Sequence, residues 1–215
     1  MRRALTTLAA AALFGYALGA AHSELYATRN LLKFPLLIVI TAGVCALSYY
    51  VVARSLLVPL SFAGVQRASW RLFHDTSIML ASVGPATFFI ARALRATDDG
   101  RMGGYHGYLA FNFVAIAIAG SIALIRQALA LLREHGVAHA RATALVALWL
   151  TLTLAVGGQA AFVMRPFFGI PATRGFTPPF FLGDAPDVRG ATNFFEALLL
   201  TLEHPLSSSA WPSKR

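Results

Sequence analysis

The fold class that the sequence predicts is an all-α polytopic bundle of about five transmembrane helices. Three observations predict it. Of 215 residues, 57% are hydrophobic and 13% charged, the mean hydropathy is +0.64, and the uncharged apolar stretches form separate runs of helix-spanning length. A bilayer core takes about 20 apolar residues per helix, so a chain of this size holds about five spans and no large soluble catalytic domain. The formal net charge of +9, from 18 Lys plus Arg against 9 Asp plus Glu, would point to nucleic acid in a soluble protein. Here the basic residues flank apolar runs, so they read as topology signals and no nucleic-acid partner is expected. The single cysteine, Cys45, lies inside an apolar run, which leaves no intrachain disulfide framework and no thiolate metal cluster.

The first run, residues 4–21, follows Arg2 and Arg3 and ends before His22, Ser23 and Glu24. Its basic start and the small residues Gly19 and Ala21 would suit a cleaved signal, but its length and the four-residue spacing of Gly15 and Gly19 favour a retained span. The second run has its core at 34–53, bracketed by Lys33 and Arg54. The third, 76–92, carries Gly84 and Pro85 at its centre and reads as a kinked span, because neighbouring helices can satisfy the carbonyl that proline frees. The fourth, 108–125, is closed by Arg126, with its helix continuing to about residue 132. The fifth, 143–164, is closed by Arg165 and Pro166. Residues 1–165 are thus expected to form the membrane bundle.

From residue 166 the composition changes. Residues 166–191 hold five of the ten prolines and four of the seventeen glycines beside several phenylalanines, the make-up of an ordered aromatic loop at the membrane surface. Residues 193–202 turn helical again, but Glu196 and Glu203 leave no spanning length, so an interfacial amphipathic helix is expected, opened by Asn193 and Glu196 as a capping box. A polar tail, 207–215, follows. Of the basic residues near the spans, eight (Arg2, Arg3, Arg54, Arg67, Arg71, Arg126, Arg133, Arg141) fall on the side of the N-terminus and five (Arg29, Lys33, Arg92, Arg95, Arg101) on the other. That balance favours a cytoplasmic N-terminus and a periplasmic C-terminus.

Every Asp, Glu, Lys and Arg lies at or beyond the end of an apolar run, so mid-membrane charge chemistry is not expected. The polar residues within runs are milder: Thr41, Ser48, Asn112, Ser121 and Gln159. Asn112 and Gln159 are the candidates for a functional or structural polar role. Small residues suited to close helix packing recur at Gly15 and Gly19, at Ala117 and Ser121, and at Gly157 and Gly158 just before Gln159. His135 and His139 have the four-residue spacing that suits a metal on one helix face, but they lie in a polar linker with Gly136 between them and read as structural. The mixture of Trp70, Arg71, Phe73 and His74 beside an apolar run is that of a membrane interface. No G-x-S-x-G, H-E-x-x-H, G-x-x-x-x-G-K or G-x-G-x-x-G stretch occurs. No catalytic residue, metal or cofactor is therefore expected.

The most distinctive segment runs out of the fifth span: Gly157, Gly158, Gln159, then Arg165, Pro166, Phe167, Phe168, Gly169, Ile170, Pro171, and later Asn193, Phe194, Phe195, Glu196. Together with Lys33, Phe34, Pro35, Leu36, Leu37 and Thr41 opening the second helix, this pattern resembles a family of small bacterial multi-pass inner-membrane proteins. The resemblance implies a bacterial inner-membrane location and a built element on the periplasmic side after the last span, and it supplies no catalytic residues. Unlike charges on one membrane face suggest that Arg165 anchors the loop and last helix through Glu196 or Asp184. The expected function is that of a scaffold or accessory subunit that packs against other membrane subunits or itself within the lipid bilayer. A channel or transporter for a neutral or lipid-like solute is the alternative, using Gly84, Pro85, Asn112 and Gly157 to Gln159. A lipid-modifying enzyme built on His22, Glu24, Arg165 and Glu196 is a third reading.

Overall fold

The computed structural model describes residues 2–96, 102–168, 179–181 and 191–203. Its helices are α1 (Arg2–Gly19), α2 (Glu24–Ser55), α3 (Phe62–Ala96), α4 (Met102–Glu134), α5 (His139–Met164) and α6 (Phe194–Glu203), and no strand occurs among the described residues. Helices α2, α3, α4 and α5 are long and apolar enough to cross a membrane. Helix α1, with 18 residues that include Arg2 and Arg3, is not among them.

The helices outrun their apolar runs because local signals set their ends. Ser23 caps α2, its hydroxyl accepting from the Tyr26 N–H at 3.3 Å, and Glu24 follows in the first turn where the helix dipole favours an acid. Pro35, read from the sequence as part of the opening of this helix, therefore lies in its interior. Gly136, at φ 60, closes α4: its N–H reaches the Arg133 carbonyl and the Val137 N–H reaches that of Leu132, a Schellman turn. That turn puts His135 after α4 and His139 at the start of α5, so the two histidines do not share a helix face.

Helix α1 packs on both α2 and α3, meeting α3 from His74 to Phe88. Phe14 packs edge-on to Phe34 at 5.2 Å, and Thr7 Oγ1 is 2.8 Å from His74 Nδ1. Nearer the other end of the bundle α2 and α3 meet directly, with Ser69 Oγ donating to the Ala42 carbonyl at 3.2 Å and Tyr50 against Phe62. Helix α4 packs on α3, and α5 on α2, where Tyr49 stacks on Trp149 at 4.7 Å and bonds Thr153. The buried stripe of α2 (Tyr26, Asn30, Phe34, Ile38, Ala42, Cys45, Tyr49, Ala53) keeps helical spacing throughout. The outward faces are apolar too: Leu36, Ile40, Leu47 and Val51 on α2, and Val114, Ile118, Ile122 and Ile125 on α4, are exposed. A surface of this kind suits hydrocarbon or another apolar helix, not water.

The backbones of α1 and α2 approach closely at two glycines. A Cβ at Gly15 would collide with the Asn30 carbonyl, and one at Gly19 would sit 2.5 Å from the Tyr26 carbonyl. Above Gly120 there is open space. Replacing Gly15 or Gly19 with leucine is expected to lower the thermal midpoint of the detergent-solubilised chain, at a cost of about 1–3 kcal/mol or more, because backbone on both sides must move. Gly120→Ala should leave it unchanged or raise it slightly. Equal midpoints for the two kinds of variant would contradict the close α1–α2 contact.

Candidate functional site

The second and third turns of α2 carry polar residues on its inward side. Asn30 and Lys33 share the buried face with Phe34, and both are 0% exposed. What they meet is the turn that leaves α5. Asn30 Nδ2 donates to the Phe167 carbonyl at 2.7 Å, and Lys33 Nζ donates to the Pro166 carbonyl at 3.0 Å. The Lys33 ammonium also stands over three aromatic rings, Phe180 at 5.0 Å, Phe181 at 5.5 Å and Phe167 at 5.7 Å, while the Arg29 guanidinium lies over Phe180 at 5.9 Å. The local sequence explains the arrangement. Met164 ends α5 and Pro166 cannot continue the helix, so the next carbonyls leave α5 and meet α2.

The same turn gathers the rest of this end of the bundle. Phe167 meets Phe34 of α2, and Phe168 meets Phe113 of α4 at 5.4 Å and Tyr108 at 6.3 Å. Tyr108 in turn donates to the Leu18 carbonyl at 2.9 Å and the Ala17 carbonyl at 3.2 Å, tying α4 to the end of α1. Outside it, the Glu24 carboxylate accepts from Arg92 at 3.2 Å, Arg95 at 3.1 Å and the Tyr16 hydroxyl at 3.1 Å. Those ion pairs are exposed, so they contribute little to stability.

Among the described residues no carboxylate pairs with Lys33. Removing an ammonium from water costs several kcal/mol, whereas a charge-assisted hydrogen bond returns about 1.5–3 kcal/mol and each cation–π contact about 0.5–2 kcal/mol. These are of one size. The clasp therefore fixes the position of the turn more than it stabilises the fold.

The residues singled out from the sequence fall in several places. Asn112 is fully buried on α4: its amide donates to the Tyr108 carbonyl at 2.8 Å and its oxygen accepts from Thr87 of α3 at 3.0 Å. Gln159 Oε1 accepts from the Phe194 N–H at 3.1 Å, and the Phe194 ring covers Gly158, 2.5–2.7 Å from where a Cβ would be. Gly157 faces Thr41 across the α2–α5 contact. Ala117 is exposed and Ser121 half-buried on α4. The Arg165 guanidinium stacks on Phe162 at 3.5 Å. The Glu196 N–H donates to Asn193 Oδ1 at 3.0 Å, the cap bond expected at the start of α6, while the Glu196 carboxylate accepts from the N–H and hydroxyl of Thr192 at 2.7 and 2.9 Å, one residue before the cap. Asp184 lies outside the described residues. Among the described residues no group of three His, Cys, Asp or Glu side chains could hold a metal ion.

The linear sequence does not point to Asn30 or to a buried Lys33. Lys33 stands at the end of its own apolar run, which reads as interfacial, and its enclosure involves the turn after α5 and the rings of Phe180 and Phe181. The signal that could have found the pair is the spacing of Asn30, Lys33 and Phe34, which puts both polar residues on the helix's inward stripe.

In comparisons with known proteins, the chain matches no family model, no curated protein and no solved structure.

Asn30→Ala should cost about 1–3 kcal/mol, since it leaves the buried Phe167 carbonyl without its donor. Lys33→Met should cost less, because Pro166 is half-buried where Phe167 is buried and because the substitution also removes a buried charge. Thermal midpoints check the order, and cleavage beyond residue 165 by added protease should rise for Asn30→Ala. The reverse order of midpoints would contradict the clasp.

Proposed function

We infer that this chain is a non-enzymatic integral membrane protein, acting by helix packing as a scaffold or accessory subunit of an inner-membrane complex. One observation carries the reading. The polar side chains that a solute pathway would need, Asn112 and Gln159, are engaged between helices, Asn112 joining α3 to α4 and Gln159 holding the start of α6 against α5. The outward faces add to it. On α4 the exposed Ala117, the open space above Gly120 and the half-buried Ser121 form a low surface among exposed isoleucines, the shape that admits a partner helix closely.

In this reading α1 is a fifth span, buried against α2 and α3, and α6 rests at the membrane surface with Phe195 and Leu199 exposed. The N-terminus faces the cytoplasm and the C-terminus the periplasm, in keeping with the eight-to-five distribution of basic residues. A C-terminal reporter active only in the periplasm should be active when fused to the full chain. An inactive periplasmic reporter with an active cytoplasmic one at the same site would overturn the orientation.

The subunit reading is tested by extracting the chain from its own membranes in mild detergent and weighing what accompanies it. A stoichiometric protein partner is expected. Gly120→Leu should remove that partner and change the midpoint of the isolated chain little, because a Cβ at Gly120 has open space around it. A chain that purifies alone and retains a solute would replace this reading with transport.

A further inference from the structure

A second constellation lies toward the opposite end of the bundle from the Lys33 clasp, where α1 begins. Arg3 of α1, the middle of α2 and the first turns of α3 enclose a groove of about 580 Å3. Its floor is Ala42, Gly43 and Ala46 of α2, and Phe62 and Trp70 of α3 form its wall. The small floor residues leave room along the helix, and nothing lies within 4 Å of the point where a Gly43 Cβ would be. The volume falls within the range of small-molecule pockets, roughly 300–1,000 Å3.

The rim is cationic. Arg3, Arg67 and Arg71 line the groove and are exposed. Arg67 and Arg71 also line a second, more polar depression of about 230 Å3 between α3 and α4, which Gln127, Glu134 and His135 help to enclose. Two arginines thus stand at the junction of an apolar groove and a polar one. Among the described residues the ion pairs are those of Glu24 with Arg92 and Arg95, so none of the three rim guanidinium groups is paired with a carboxylate. Counting Arg3, Arg67 and Arg71 against Glu134, the two depressions keep an excess of two positive charges.

Depth decides the occupant. Ser69, between Arg67 and Arg71 on α3, bonds the Ala42 carbonyl in the middle of α2's apolar stretch. The two arginines therefore lie beside apolar helix. A guanidinium at such a place draws water or an anion to itself, and the anion a bilayer supplies, with an acyl chain attached, is a lipid phosphate.

We propose that this groove is a binding site for one anionic glycerophospholipid, its phosphate at Arg67 and Arg71 and an acyl chain along Ala42, Gly43 and Ala46. Arg3, at the first turn of α1, closes over the headgroup, and the bond between Thr7 and His74 holds α1 against α3 beside it. The site makes α1 part of a lipid clamp as well as part of the bundle.

The test uses the full chain in neutral detergent, stripped of native lipid, with phosphatidylglycerol or phosphatidylcholine added in mixed micelles and the bound lipid counted by native mass spectrometry. One phosphatidylglycerol per chain should be retained and phosphatidylcholine should not. The double variant Arg67→Gln with Arg71→Gln should weaken retention roughly tenfold or more, since two charge-assisted contacts are lost. Gly43→Leu keeps every arginine but fills the groove floor, and it should weaken retention as well, which separates lipid binding from simple anion binding. Thermal midpoints in phosphatidylcholine micelles check that both variants remain folded, and phosphatidylglycerol should raise the midpoint of the unaltered chain alone. Equal retention of the two lipids, or unchanged retention in the Arg67 and Arg71 variant or in Gly43→Leu, would overturn the proposal. So would displacement of the lipid by inorganic phosphate alone, which would make this a free-anion site.

Discussion

The carbonyls of Pro166 and Phe167 need donors, and α2 supplies them. Where a membrane-spanning helix ends and its chain turns back among other helices, the freed carbonyls cannot all reach water, and a buried one without a donor costs as much as a lost hydrogen bond. Asn30 and Lys33 meet that need from one helix face. Because the turn also carries Phe167 and Phe168, the same two bonds place an aromatic contact on α2 and another on α4. Tyr108 then passes the connection to the end of α1. Helices that are far apart in the chain are thereby held at one end by a few residues.

Much of the architecture was legible because bilayer length and hydrophobic composition speak directly to helices. The apolar runs marked where α2 to α5 lie, and Asn193 with Glu196 marked the start of α6. Helix ends were less legible, since Ser23 and the Gly136 turn override the hydrophobic boundary. Spacing also lacks direction: Gly15 with Gly19 and Ala117 with Ser121 share one motif, yet the first pair lies against α2 and Ala117 is exposed. The candidate site was least legible of all. Asn30 and Lys33 are separated from their partners by more than 130 residues, and no local pattern announces a contact between a helix face and a turn so far along the chain.

The two polar regions solve different problems with the same cation chemistry. Around Lys33 the protein brings its own carbonyl and aromatic faces to a buried ammonium. Around Arg67 and Arg71 it leaves guanidinium groups beside open grooves. The short helix α1 adjoins both, its Gly15 pressing on Asn30 beside the first and its Arg3 lining the groove of the second.

The long separation of Asn30 and Lys33 from their acceptors also orders the making of the protein. A ribosome releases α1 and α2 before the other helices, and their glycine contact can form as soon as both have been made. At that stage Lys33 has neither the Pro166 carbonyl nor the phenylalanine rings around it. The ammonium must stay hydrated while α3, α4 and α5 are made. Only when α5 and the turn beyond it emerge can the charge be enclosed. Closure of this end of the bundle therefore waits for the turn after α5, and a chain that stopped before Pro166 would lack the carbonyls that Asn30 and Lys33 bind.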